Sequence, residues 1–531
     1  MANSALNPDA IKQAAERLGF ESLRPEQERA IEAVASGRDA LVVLPTGFGK
    51  SACYQIPSMV LDKPVLLISP LLALLSDQYD KLVKRNIPCV RLDGTVRGKR
   101  RREAYRRIFE GGPLLVMTTP ETLRLPAVVE LLRYVGVSVA AVDEAHCISE
   151  WGYDFRPAYI ELGARLDEIG AKARMALTAT AMEDVRADIV RFLRITDPEV
   201  IASSPDRKNL AYDVIVASDN ARVNAMVRLM KRLRRPGIIY CATTRHVDEL
   251  YVVMRKLGMP VHRYHGKMGQ SGREEEQAKF MKRGRRSIMI ATNAFGLGID
   301  KRDIRYIIHA QTPASLEQYV QEAGRAGRDG KKSDCILLYS GYDRPIHEQL
   351  LAKSRIKPER LAQLGRALRA WAKEGRQPTL EALSVSADMG PRMVTALLGV
   401  ADDAGILRYS GGTIDVPGDP DEILEKMKSL ASRFENLRTN DARRLDSVSQ
   451  YAYLETCRGQ HLRTYFGEEE GEPCGLCDIC RNRAERPSSF FVPLGKKAFK
   501  KKKRRRRRRR RKKKGGGGEQ QQGGAPQQPK S

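Results

Sequence analysis

Apolar residues in this chain gather into short runs, ALVVL at 40–44, PVLLIS at 64–69, LLVM at 114–117, VSVAAV at 137–142 and RMALT at 174–178, with amphipathic stretches between them. Runs apolar on both faces and linked by helical segments predict parallel strands joined by crossover helices. The pattern pauses at SSPDRKN, 203–209, and restarts with GIIYC at 237–241, VHRYH at 261–265, SIMIAT at 287–292, YIIHA at 306–310 and CILLYS at 335–340. Two similar α/β domains joined by a short linker are expected. From about 345 the strands give way to helical patterns. Within them, residues 379–416 read as a helix from Thr379, a turn, a second helix from Pro391 to Ala404, and two strands turned by Gly411 and Gly412. That order predicts an inserted winged helix. The expected divisions are 1–203 and 204–344 for the two sheet domains, 345–440 for the helical region, 441–485 for a cysteine-bearing module and 486–531 for a tail.

Composition fits this layout, since 531 residues at 42% hydrophobic can build two or three ordinary cores. Charge adds a partner class. The formal net charge is +28, and Lys496–Lys514 alone holds 17 Lys and Arg with no acid, which leaves about +11 elsewhere. Such a balance favours a polyanion, because clustered cations release the counterions condensed on phosphates. The low-complexity tail is expected to be disordered and to bind nucleic acid non-specifically. No run of 18 apolar residues occurs and the N-terminus carries no export pattern, so a cytoplasmic, nucleoid-associated enzyme with no membrane partner is expected.

Candidate chemistry then concentrates at four places. LPTGFGKS, 44–51, lies between strand and helix, where glycines let backbone N–H groups approach phosphates; Lys50 would reach the β/γ-phosphates and the Ser51 hydroxyl would hold magnesium. In VDEAHC, Asp143 and Glu144 end an apolar strand, the edge at which parallel sheets bind ligands. Asp143 would hold magnesium and Glu144 would orient the attacking water. QEAGRAGRDG, 321–330, offers Arg325 and Arg328 as charge delivered across a cleft from the second domain. Cys474, Cys477 and Cys480 follow C-x2-C-x2-C, with Cys457 upstream, a thiolate set suited to tetrahedral zinc. The other five cysteines fall singly in or beside apolar segments, as reduced core thiols do.

Taken together, these segments resemble the RecQ family of superfamily 2 DNA helicases over roughly 10–340 and 440–482. LGFESLRPEQ is similar to the family's adenine-recognition motif, which implies Phe20 stacking on the base, Arg24 nearby and Gln27 reading its edge. Thr46, Gly47, Phe48 and Gly49 complete the nucleotide loop. ISPLLALLSDQ (68–78), TTPE (118–121), LTATA (177–181), GIIYCATT and ATNAFGLGID (291–300) match further helicase motifs, with Gln321 joining the two arginines. The resemblance implies two RecA-like domains and 3′-to-5′ translocation on single-stranded DNA in repair or recombination. ATP, Mg2+ and Zn2+ would be the cofactors, and single-stranded and forked DNA the partners. Ser69, Thr118 and Thr119 in the first domain and Thr292 in the second would grip the DNA backbone. WGYDFRP, 151–157, is similar to the family's aromatic-rich loop, so Trp151, Tyr153, Phe155 and Arg156 would engage single strands and signal to Asp143 and Glu144. Tyr153 stands where the family commonly has histidine, and Leu18 and Leu23 where aromatics are usual. The winged-helix stretch precedes the cysteines instead of following them, and Tyr409 near its wing would stack on a terminal base pair. An RNA helicase and a scaffold with an inactive motor are the rival readings.

Overall fold

The computed structural model describes residues 7–149, 156–282, 287–296, 301–354, 356–410 and 413–481. The expectations for Trp151, Tyr153, Phe155, Gly411, Gly412 and the tail lie outside the described residues.

The first sheet contains β1 (Ala40–Val43), β2 (Val65–Ile68), β3 (Cys89–Leu92), β4 (Leu115–Thr118), β5 (Val139–Val142), β6 (Ala173–Thr178) and β7 (Glu199–Ala202). All its pairs are parallel, in the order β3-β4-β2-β5-β6-β1-β7. The second contains β8 (Leu210–Val216), β9 (Gly237–Tyr240), β10 (Val261–Tyr264), β11 (Ile288–Ala291), β12 (Tyr306–His309) and β13 (Ser333–Tyr339), again all parallel, in the order β10-β11-β9-β12-β13-β8. The ten apolar runs all become strands in the two sheets. Three further strands, β3, β7 and β8, lie at sheet edges, where one side lacks a neighbour and polar residues are tolerated.

Alternate side chains along each strand feed opposite layers. In the first sheet Leu41, Leu66, Val116 and Val142 enter one core, while Val42, Leu67, Met117 and Ala141 enter the other. In the second, Ile239, Ile290 and Ile308 pack under one set of helices, and Tyr240, Met289 and Ile307 pack on the other side. That last layer also contains Tyr451, Cys457, Leu462 and Cys477, so the cysteine module forms part of the second domain's core.

The helical region follows the order expected from sequence: helices Leu380–Ser386 and Pro391–Asp403, then an antiparallel hairpin of β14 (Arg408–Ser410) and β15 (Thr413–Asp415). The Thr379 side chain caps the first of these helices by accepting from Ala382 N at 3.2 Å. A 33-residue helix, Pro420–Ala452, begins at the Asp419 cap and runs through residue 440, where a division was expected. Met427, Leu430, Phe434 and Leu437 on its first half fill the helical region's core, and Val448, Tyr451 and Ala452 at its end fill the second domain's. The helical region also rests on the first domain: Arg124 pairs with Asp402 at 2.5 Å and with Asp403 at 3.5 Å, and Ile160 packs into its core.

Candidate active site and metal centre

The glycine turn after β1 is built for close approach. Gly47 and Gly49 have φ of 91° and 79°, and a Cβ at Gly49 would lie 2.6 Å from Gln27 Nε2. Gln27 is buried and donates from Nε2 to the Phe48 and Gly49 carbonyls at 3.1 and 2.9 Å, while its Oε1 accepts from Arg24 N at 2.8 Å. Its amide therefore buttresses the loop in this structure. The Arg24 guanidinium lies 4.5 Å over the Phe48 ring, and Phe20 packs beside Gly49. The predicted adenine-side residues thus converge on the loop. The helix expected after Ser51 is instead two four-residue turns, Ala52–Gln55 and Pro57–Val60, because Pro57 has no N–H to continue the ladder.

Lys50 is half-buried, its Nζ donating to the Leu44 carbonyl at 2.9 Å. Burial pushes its ammonium down, while Glu144 and Asp143 pull the other way and Arg328 adds to the lowering. Asp143 follows β5, the middle strand of the first sheet, and its N–H donates to Ile68 O at 2.8 Å. Burial and then Glu144 push its carboxyl up to about 7, opposed by Lys50. A divalent cation at this carboxylate, with Ser51, answers that burial, so the residues present fit magnesium. Glu144 holds a left-handed backbone at φ 50°, a strained conformation of the kind that clusters at functional sites. His146 Nδ1 lies 3.4 Å from Glu144 Oε2 and 3.1 Å from Thr178 Oγ1, which donates to the Thr180 carbonyl. The acid segment and LTATA are therefore one hydrogen-bonded unit.

The second domain meets this site through its glycine-rich segment. Arg328 lies against the loop: a Cβ on Gly47 would be 3.0 Å from Arg328 Cγ, and one on Gly324 would be 3.4 Å from Thr46 Cβ. Arg325 points elsewhere. It is buried, donates to the Gly296 carbonyl and sits beside Tyr240, whose hydroxyl donates to Phe295 O at 2.9 Å. The structure separates the pair into one arginine at the cleft and one bracing its own domain. Gln321 lies in the last turn of the helix Leu316–Ala323, which leads into this segment.

Other side chains hold this segment without any motif announcing them. Arg207, in the linker, donates to the Gly324 and Ala326 carbonyls at 2.7 and 2.9 Å and to the Gly327 carbonyl. His309 Nε2 is 2.7 Å from Glu322 Oε2, both buried.

The expected DNA contacts Ser69, Thr118 and Thr119 lie just past or at the ends of β2 and β4, and Thr292 just past β11. All four are buried. The Thr118 hydroxyl donates to Leu92 O at 2.7 Å, and Thr119 and Thr122 hydroxyls bond at 3.1 Å. The backbone here is also tied inward, Ser69 N–H donating to the Thr118 carbonyl at 3.0 Å and Thr292 N–H to the Tyr264 carbonyl at 3.2 Å. Arg156 N donates to Cys147 O at 2.8 Å, and the Tyr159 hydroxyl donates to the Asp143 carbonyl at 3.3 Å. Tyr159, just after the aromatic-rich loop, is thus tied to Asp143 itself. Tyr409 is half-buried against the helical region's core, its N–H donating to Asp402.

Cys457, Cys474, Cys477 and Cys480 hold their sulfurs within 4.8 Å of one another. Zn–S bonds of about 2.3 Å place tetrahedral sulfurs about 3.8 Å apart, so the set fits zinc. Backbone N–H groups of Cys474 and Cys477 approach Cys457 Sγ and Cys474 Sγ at 3.1 and 3.3 Å, stabilising thiolates. His461 stands outside the set, 5.9 Å from the Tyr451 ring. Among the described residues no helix is long and apolar enough to cross a membrane.

Family models match in three places: DEAD/DEAH box helicase at residues 24–188, helicase conserved C-terminal domain at 221–330 and RecQ zinc-binding at 422–481. The chain is 38% identical over 352 residues to the probable ATP-dependent DNA helicase RecS of Bacillus subtilis, covering 66% of this chain and 71% of that one. It is 32% identical to the ATP-dependent DNA helicase RecQ of a Synechocystis species, covering 89% and 98%. Against the RecQ helicase of Pasteurella multocida it is 31% identical over 87% of this chain and spans 60% of the relative. The helicase Lhr of Mycobacterium smegmatis, solved with ssDNA and AMP-PNP, superposes with a TM-score of 0.51 at 20% identity over 79% of this chain and 62% of its own. That likeness speaks to fold. With its two motor segments and zinc module matched in order, and near-complete coverage of a relative, the chain belongs to the RecQ family of superfamily 2 helicases.

Proposed function

We propose that this protein is an ATP-dependent DNA helicase, moving 3′-to-5′ on single-stranded DNA and opening duplexes, forked ones included, in repair or recombination. The observation that carries the reading is Arg328, supplied by the second domain, against Gly47 of the first domain's phosphate loop. A nucleotide at that loop touches both domains, so its γ-phosphate draws them together and hydrolysis releases them. Lys50 and Arg328 neutralise phosphate charge and Glu144 orients water. Asp143 with Ser51 would hold magnesium, which when bound would add charge neutralisation at the phosphates. Arg325 is assigned to hold the 292–296 loop in register with this event. Phosphate and stacking contacts carry no sequence code, so generic single strands are the track. The aromatic-rich loop is assigned to single-strand sensing, relayed through Tyr159 to Asp143. The cationic tail is assigned to non-specific retention on nucleic acid, which would associate the protein with the nucleoid.

The test is ATP hydrolysis with and without single-stranded DNA, beside strand displacement on matched DNA and RNA duplexes. Lys50→Ala is expected to lower DNA-stimulated hydrolysis at least about 100-fold, the scale set by losing a fixed cation at the transferring phosphoryl group. Equal or better displacement of RNA would replace the substrate assignment.

A further inference from the structure

The first domain carries a cationic face that the motor mechanism does not use. The helix Gly98–Glu110 follows β3 at the edge of the sheet, and Arg97–Glu110 holds seven Lys and Arg against two Glu. The two acids are occupied: Glu103 pairs with Arg106 at 2.5 Å, and Glu110 with Arg107 at 3.6 Å. Arg97, Lys99, Arg100 and Arg102 are exposed, with no carboxylate within ion-pair distance among the described residues. At the far end of this helix, Phe109 stacks on Tyr134 of the neighbouring helix Pro126–Val135, with ring centroids 5.5 Å apart and planes within 4°. Both rings are exposed, 60% for Phe109 and 74% for Tyr134. Stacking covers one face of each ring and leaves the outer faces to solvent.

We propose that this face is an auxiliary binding surface for single-stranded nucleic acid outside the cleft. Its charge rules in a polyanion and rules out the chain's own cationic tail as the occupant. The open aromatic pair selects among polyanions, since a base can continue a parallel ring stack whereas a headgroup or an acidic peptide gains nothing from it. Topology sets the path. The helix starts at the rim where Thr118 bonds Leu92, and runs back about 20 Å at ~1.5 Å per residue alongside β3, to the other end of the strands. A strand leaving the rim would meet arginines first and the ring pair last. The inference rests on the proposed function only in taking nucleic acid as the polyanion.

The full-length protein with p-benzoylphenylalanine replacing Tyr134 is irradiated with labelled oligodeoxythymidine, without nucleotide. The same replacement of Val200, exposed on β7 at the opposite edge of the sheet, is the control. Crosslinking to the oligonucleotide is expected from position 134 well above the control, falling at least about fivefold in Arg100→Glu/Arg102→Glu as phosphate contacts are lost. DNA-stimulated hydrolysis at saturating DNA is expected to stay within about twofold, because these residues lie outside the cleft. Crosslinking no stronger than at Val200, insensitivity to the two charge reversals, or crosslinking to a second copy of the chain would each overturn the proposal. Because the readout needs no hydrolysis, its failure is distinct from failure of the Lys50→Ala test.

Discussion

The two parallel sheets share a plan and differ in how they are completed. The first closes both hydrophobic layers with helices of its own, from residues 14 to 201. The second closes one layer with its own helices and completes the other, beside its own Phe280, Leu316 and Tyr319, with the end of the long helix and the cysteine module, through Val448, Tyr451, Leu462, Phe466 and Cys477. Zinc is therefore placed where it supports a motor domain's core, far along the chain from either nucleotide-binding segment. The core of the half that carries the phosphate loop holds no residue of the cysteine module, and the core of the half that delivers Arg328 does.

The largest effect that could break this contrast comes from the metal. Chelation, or Cys477→Ser, is expected to remove the second domain's protection while the first stays protected, read by hydrogen exchange. The scale is that of structural zinc binding, about 10 kcal/mol. Uniform loss across both sheets would refute the division. Next is Arg458, fully buried, which donates to Asp478 and to the Tyr451 carbonyl at 2.6 Å each. Arg458→Ala strands Asp478 without its cation and should cost about 3–5 kcal/mol, confined to the second unfolding transition. Leu67→Ala, in β2, should cost about 2–5 kcal/mol in the first transition by calorimetry, with zinc content unchanged. The smallest is Arg124→Ala. This pair with Asp402 is partly exposed, so about 1 kcal/mol or less is expected, read as faster exchange in the helix Pro391–Asp403.

The same contrast explains what could be read from sequence. Central strands such as VLLI and VAAV are buried on both faces and stand out as apolar runs. β3 alternates half-buried and buried positions, and β8 carries Asp213, which pairs with Arg481 at 2.5 Å, so neither reads as a core strand. Lys50, Asp143 and the cysteines were legible because each belongs to a contiguous pattern dictated by its chemistry. Arg207 was not, because it meets Gly324 from 117 residues away and sits in a stretch that reads as linker. Nor could spacing separate Arg325 from Arg328; three residues apart on a tight turn, they face different domains. The buried hydroxyls of Thr118 and Thr119, bonded to Leu92 O and Thr122, make a related point: residue types that match a motif in sequence can have their side chains turned inward in the fold.

The long helix Pro420–Ala452 adds a mechanical term to this architecture. One end is set in the helical region docked on Arg124, and the other is embedded under the second sheet. Its 33 residues make a rod of about 50 Å, and a tilt of about 10° at one end sweeps the other through about 9 Å. Any change of angle where the helix is embedded under the second sheet would therefore reach the helical region enlarged by the length of the rod.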